Sequence, residues 1–216
     1  MNDNLTECPN CGAKIKSGMM TSTTFISENR VKLINEFTKT KGSAFCTKCS
    51  SALLQEVSVA INTDRNRQEG IIKRLIENVP IASIHSPVNW DYEVVGIVTG
   101  QSSAGTGVFS EVASSFTDFF GAQSGTINRK LKNGEMMCMN QLRVFAVELG
   151  ANAIIGVDID YAEFGGDKGI VTVCMTGTAV RLKNIEIIGE SKASCIRDSQ
   201  KAFDRIKYLN TLNQGN

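Results

Sequence analysis

The chain has 216 residues, enough for one ordinary domain and a second small one, and its 23 Lys and Arg nearly balance its 22 Asp and Glu. A net charge of +1 provides no global field to attract nucleic acid or an anionic membrane, so neither is expected as a partner. We expect a cytoplasmic protein, because the first thirty residues lack a signal-peptide pattern, no run of about 18 apolar residues occurs, and the seven cysteines fit metal ligation in a reducing compartment.

Two CxxC pairs occupy the N-terminal part: Cys8 with Cys11, and Cys46 with Cys49. The two-residue spacer lets both sulfurs of a pair reach one ion, and zinc prefers tetrahedral sulfur ligation, so the pattern predicts a structural four-cysteine zinc site. A redox pair normally stands alone and an iron–sulfur cluster usually has other spacings, which makes both weaker alternatives. A closed site of this kind stabilises a fold or a partner contact and leaves no open position for a substrate.

The 34 residues between the two pairs exceed the commonest zinc-ribbon spacing. A helix over residues 27–38 is predicted to fill the spacer, because apolar side chains recur on one face after a serine in the N-cap position. These side chains are Val31, Ile34 and Phe37.

The stretch after the second pair is harder to interpret. Residues 52–61 have mixed periodicity and fit a helix or a strand, whereas residues 62–70 carry no apolar side chain and predict a solvated linker. The two arginines of this linker could also touch phosphate. Residues 71–79 predict an amphipathic helix ended by Pro80. The single histidine, His85, follows, and we assign it to neither a metal nor acid–base work.

From Tyr92 to Leu182 the chain has the pattern strand, helix, strand, strand. Residues 92–100 form a β-branched run, residues 126–149 have helical spacing in their second half, and Gly150 stands at the expected helix C-cap. Strands are predicted next over residues 155–161 and 170–180, joined by a hairpin turn at 163–169. These elements predict an α+β unit.

Three segments of this unit resemble the signature stretches of the bacterial YbjQ family. They are VGIVTG at 95–100, GANAIIGVDIDY at 150–161 and GTAV at 177–180. The resemblance covers roughly 90 residues. It implies a small β-α-β-β subunit of dodecin-like form that assembles into a homopentameric ring, in a family labelled as heavy-metal-binding. It implies no catalytic mechanism.

Several features of the unit have two interpretations. The glycine-containing loop at 101–109 could cradle phosphate, but it lacks GK[ST] and GxGxxG, so a flexible connection is favoured. The methionines and cysteine at 136–139 could bind copper(I), but they point in different directions on a helix, so packing is favoured. Four phenylalanines indicate a core plug, an oligomer contact or an apolar pocket: Phe109, Phe116, Phe119 and Phe120.

The second half of the long helix is apolar nearly all round, which indicates burial on several sides. A three-stranded sheet covers only one side, so we expect a neighbouring subunit to cover the rest.

Asp158 and Asp160 fall on one face of the second predicted strand, about 6.6 Å apart. Carboxylates at this spacing could bind a hard cation or act as an acid/base pair, or they could be the solvated face of an antiparallel sheet. With Cys174 of the neighbouring strand they form a candidate second metal site.

The sequence thus predicts four parts: a zinc-ribbon-like domain at 1–61, a linker and helix at 62–89, a YbjQ-like domain at 90–184, and a C-terminal helix at 185–216. The favoured function is a non-enzymatic oligomeric scaffold that presents its zinc ribbons to a protein partner and holds a metal or small ligand in its ring. The alternatives are a heavy-metal-handling protein and a hydrolase of a small phosphorylated or acyl substrate, although no convincing nucleophile–base pair is present.

Overall fold

The computed structural model describes residues 5–16, 22–102, 127–164 and 170–213. The chain divides into two compact units, Met1–Arg67 and Gln68–Asn216. Short 3-10 helices occupy Ile76–Asn78 and Ile185–Ile188. The longer elements are α1 (Glu28–Phe37), α2 (Thr47–Leu75), β1 (Tyr92–Ser102), α3 (Ile127–Glu148), β2 (Ala153–Phe164), β3 (Ile170–Leu182) and α4 (Glu190–Asn213).

The first unit consists of short bridged segments and helical chain. Isolated antiparallel bridges pair Glu7 with Lys14, Lys16 with Thr23 and Phe25 with Cys46. The helix predicted over residues 27–38 is confirmed as α1, with Ile34 of its apolar face fully buried. Ser27 is its N-cap residue but makes no side-chain capping hydrogen bond. Phe45, immediately before the second cysteine pair, is also fully buried.

The polar stretch at 62–70, which the sequence predicts to be a solvated linker, is helical and belongs to α2. The boundary between the two units, after Arg67, falls inside this stretch. Its Arg, Gln and Glu residues are good helix formers, and it contains no proline. A polar stretch of helix has no apolar face, so the periodicity that identifies most helices is missing here. The undecided residues 52–61 belong to the same helix, and residues 71–79 continue it to Leu75 before the 3-10 turn and Pro80.

The second unit is built on a three-stranded antiparallel sheet with the order β1-β3-β2. The predicted chain order of strand, helix, strand, strand is confirmed, and so is the mixed α/β class. Residues 80–84 add a short parallel pairing along β2, which the sequence does not predict. In this pairing the Ala82 N–H donates to the Ile154 carbonyl at 2.9 Å and the Val157 N–H to the Ala82 carbonyl at 3.1 Å.

Gly150 ends α3 as the sequence predicts. Its φ is +81°, its N–H donates to the Val147 carbonyl at 2.9 Å, and the Ala151 N–H donates to the Ala146 carbonyl at 2.8 Å. This pair of hydrogen bonds is the Schellman motif, which satisfies carbonyls at the end of a helix. The chain can therefore change from helix to strand within a few residues, and β2 begins at Ala153.

Much of the second half of α3 is covered by its own chain, but Met136 is 45% exposed and Leu149, directly after the helix, is 50% exposed. Cover of these side chains by a neighbouring subunit stays a prediction. Cys138, Leu142 and Ala146 pack with buried residues of the sheet. Val144 and Val147 belong to another cluster, which includes Phe203 and other residues of α4. The C-terminal helix thus covers a part of α3 that the sheet does not.

Two predictions fall largely or wholly outside the described residues. One concerns the loop at 101–109, of which the structure describes only Gln101 and Ser102, together with the phenylalanines Phe109, Phe116, Phe119 and Phe120. The other is the hairpin turn, whose residues 165–169 are not described.

Candidate metal centre

The first cysteine pair lies in a tight turn. The Gly12 N–H donates to the Cys8 carbonyl at 2.8 Å, and the Cys8 N–H donates to the Ala13 carbonyl, also at 2.8 Å. Gly12 has φ +69°, a conformation that glycine adopts without the steric cost that a Cβ brings. The turn folds the chain back on itself, so Cys8 and Cys11 lie on the same side.

The second pair lies at the start of α2. Cys46 precedes the first helical residue, Thr47, and its carbonyl accepts the Ser50 N–H at 3.0 Å. Phe25 forms an antiparallel bridge with Cys46, which ties this pair to the segment that follows the first pair. The N-terminus of a helix carries partial positive charge, so this position favours thiolate over thiol.

All four predicted ligands come together. The sulfur atoms of Cys8 and Cys49 lie 3.8 Å apart, those of Cys11 and Cys46 3.6 Å, and those of Cys46 and Cys49 3.7 Å. The four sulfurs all lie within 4.8 Å of one another. Sulfurs bound tetrahedrally at about 2.3 Å from an ion would be about 3.8 Å apart, so the four side chains fit a single ion. They are too far apart for disulfides, whose sulfurs are about 2.05 Å apart.

Backbone N–H groups favour the charged form at two of the four sulfurs. Desolvation would raise the pKa of Cys8, but N–H groups of Asn10, Cys11 and Cys46 outweigh it and lower this pKa to about 6. Desolvation likewise opposes ionisation of Cys46, yet hydrogen bonds, including those from the Cys49 and Lys48 N–H groups, lower its pKa.

The other two thiols hold their protons more tightly. The Ala13 N–H lowers the pKa of Cys11, but desolvation and hydrogen bonds to the neighbouring sulfurs raise it to about 12. Desolvation by burial is the main cause of the raised pKa of Cys49. A cation that binds all four sulfurs must therefore displace protons from the cluster.

Asn10 is a member of this site that the sequence analysis did not identify. Its backbone N–H donates to the Cys8 sulfur, and its side-chain amide donates to the Cys49 sulfur. One residue thus links a cysteine of each pair. The only sequence signal is its position inside the first CxxC spacer.

The second candidate site lies on an exposed face of the sheet. The strand register places Asp158 opposite Thr176 and Asp160 opposite Cys174, so the predicted common face is confirmed. Both aspartates are exposed, and Cys174 is half-buried. Within the described ranges, however, the four N-terminal cysteines are the one group of three or more His, Cys, Asp or Glu side chains close enough to share an ion.

His85 packs against the sheet. Its ring lies where a side chain at Gly156 would be, with Nδ1 2.6 Å from the ideal Cβ position, and Gly156 has φ +59°. The His85 carbonyl accepts a hydrogen bond from the Tyr92 hydroxyl at 3.1 Å. Among the described residues, His85 belongs to no group of side chains that could hold a metal ion.

Residues 87–183, which contain the sheet and α3, match the model of the YbjQ family, described as "Putative heavy-metal-binding". Residues 87–183 thus match a YbjQ-family domain. The cysteine cluster lies outside the matched residues, so it is a candidate metal centre in addition to the one that the description of the domain suggests.

A solved structure was also found to be similar. It is the crystal structure of a protein of unknown function from Pediococcus pentosaceus, assigned to the DUF74 family. Its sequence identity with this chain is 17%, the match covers 48% of this chain and 96% of the other, and the TM-score is 0.30. Neither the description of the Pediococcus protein nor that of the YbjQ family names a reaction. Among the described helices, none is both long and apolar enough to cross a bilayer.

Proposed function

We propose that the protein is a non-enzymatic metal-binding scaffold in which Cys8, Cys11, Cys46 and Cys49 hold a structural zinc ion. The observation that supports this is the separation of the sulfurs, 3.6–3.8 Å for three of the pairs. That separation favours one ion over an iron–sulfur cluster, because a cluster of several atoms between the cysteines would hold their sulfurs further apart. Four thiolates and no further ligand are typical of structural zinc.

The test is native mass spectrometry of protein purified without added metal, before and after a strong chelator. The expected result is one zinc per chain, removed by the chelator. Cys46→Ser should abolish stoichiometric zinc, whereas Cys195→Ser, a cysteine of α4 outside the cluster, should keep it. Zinc-free wild-type protein, or a Cys46→Ser variant with full zinc content, would contradict the proposal.

The second part of the proposal is a homo-oligomer, with five subunits as the resemblance implies. Val94 is 68% exposed and Ile97 is 75% exposed. The bulge in β1 places them opposite Val180 and Thr178, and therefore on the same face of the sheet. Adjacent exposed aliphatic side chains are typical of surfaces that a partner covers.

Ile97→Lys should weaken such an assembly, because it would place a charge in an apolar contact. Light scattering coupled to gel filtration measures the effect, with Thr176→Lys on the same exposed face and Lys192→Ala on α4 as comparisons. A wild-type monomer at micromolar concentration would contradict the oligomer. In the assembled protein the zinc-binding units would be repeated around the ring and available to a protein partner.

Metal handling by the YbjQ-family domain is the second candidate function. The observation that favours it is the pairing of Asp160 with Cys174 across two strands, with Asp158 on the same face. It predicts a second metal ion per chain that is lost in the Asp158→Asn, Asp160→Asn double variant. Asp204→Asn, on α4, is the control. A single zinc in wild type and double variant alike, after incubation with Zn²⁺ or Cd²⁺, would rule out this site.

A further inference from the structure

The four cysteines of the cluster differ in exposure. Cys46 has no exposed surface and Cys8 only 2%, whereas Cys49 is half-buried and Cys11 is exposed. A structural zinc site in a core would shield all four sulfurs. Here Cys11 is an exposed residue, whereas Cys8 and Cys46 are buried.

The two buried sulfurs also accept the most backbone N–H groups. The Cys8 sulfur accepts backbone N–H groups from three residues, Asn10, Cys11 and Cys46, and the Cys46 sulfur accepts those of Lys48 and Cys49. The Cys11 sulfur accepts one backbone N–H, that of Ala13, whereas the Cys49 sulfur accepts the Cys46 N–H and also the Asn10 side-chain amide. N–H groups directed at a sulfur lower its nucleophilicity and hold it in place, so Cys11 is both the most accessible and the least restrained ligand.

We infer that Cys11 is an exchangeable ligand, through which the bound metal is passed to or received from an external thiolate. This rests on the proposed four-cysteine metal site. In the exchange the bond between the Cys11 sulfur and the ion breaks, and the incoming thiol sulfur forms the replacement bond. The incoming thiol loses its proton and the Cys11 sulfur takes up one, so charge and atoms balance and no oxidant is needed.

Cys8 and Cys46 keep the ion attached during this step. Their burial, and the bridge between Phe25 and Cys46, restrain them while Cys11 moves. The cluster would thus combine two restrained ligands with one exchangeable ligand, so that the ion that stabilises the first unit can also be passed to a thiol-bearing acceptor.

The first test is the order in which the cysteines react in the zinc-loaded full chain. Limiting N-ethylmaleimide is added, the protein is then unfolded and the remaining thiols are labelled with deuterated reagent, and peptides are quantified by mass spectrometry. A zinc-sensitive dye follows metal release in parallel. Within the cluster, Cys11 should react about tenfold or more faster than Cys8 and Cys46, since these need local opening, and zinc release should follow the labelling of Cys11.

The second test uses a small dithiol, dithiothreitol, as acceptor. The rate of zinc transfer should rise in proportion to its concentration and should be slower with EDTA, which has no thiol, at equal excess. Equal labelling of all four cysteines, prior labelling of Cys49, or a transfer rate independent of dithiol concentration would overturn the inference while leaving the zinc site intact. Protein that contains no zinc to release would instead refute the proposed function.

Discussion

The two units of this protein are held together by different means. In the second unit, two groups of buried apolar side chains connect the sheet to α3 and α4. In the first, the described β-structure consists of isolated bridges, and two cysteine pairs that are distant in sequence meet at one point. Small units rarely bury enough apolar surface to be stable alone, and a metal then supplies the missing free energy. We therefore expect metal removal to affect the first unit and core substitutions the second.

Cys46→Ser should produce the largest effect. A structural zinc contributes about 10–16 kcal/mol in small zinc-binding domains, so loss of a buried ligand should unfold much of the first unit. Hydrogen exchange read by mass spectrometry should show loss of protection around Ile34 and Phe45 and little change around Met175. Equal loss of protection in both units would show that the metal also stabilises the sheet, and would contradict the contrast between the two units.

Leu142→Ala should reverse that pattern. Leu142 is fully buried between α3 and the sheet, and truncating a buried leucine costs about 2–5 kcal/mol. Urea unfolding followed by circular dichroism measures the loss, and zinc content should stay at one per chain. Lys132→Ala, at an exposed position of the same helix, is the matched control and should change the free energy of unfolding by less than about 0.5 kcal/mol. A variant that loses zinc as well would contradict the independence of the two units.

Substitutions of two glycines by alanine should have opposite signs. A Cβ at Gly100 would lie 2.6 Å from the Cys138 carbonyl oxygen, a backbone atom that cannot rotate away, so Gly100→Ala should cost about 1–3 kcal/mol. Gly70 lies inside α2 with nothing within 4 Å of its Cβ position, so Gly70→Ala should stabilise the protein by about 0.5–1 kcal/mol. Thermal unfolding of the two variants side by side checks this. A neutral or stabilising effect of Gly100→Ala would mean that close packing of α3 on β1 is not what requires Gly100.

The sequence predicts those elements whose cause lies in the chemistry of nearby residues. Gly150 marks the end of α3 because only a residue tolerant of positive φ completes the Schellman turn, and the alternation of residues 155–161 marks β2. The cysteine spacing predicts the cluster because sulfur–metal chemistry restricts the possible partners.

Two kinds of feature are not predicted by the sequence: those set by contacts between distant segments, and a helix that is polar on all sides. The pairing of Ile81 with Ile154 and the bulge at Gly156 come from packing between segments about 70 residues apart, and nothing in the pattern of residues 80–84 specifies it. Residues 62–70 are helical without an apolar face, so composition suggests a loop where the structure has α2. Asn10 was missed because its role depends on Cys49, which the fold alone brings near.

The most direct test of the central claim is X-ray absorption at the zinc edge on protein purified without added metal. A four-cysteine zinc site predicts four sulfur scatterers at about 2.3 Å and no lighter atom in the first shell. Oxygen or nitrogen scatterers at about 2.0–2.1 Å would contradict it, because they would mean that one or more of the four cysteines does not bind the ion.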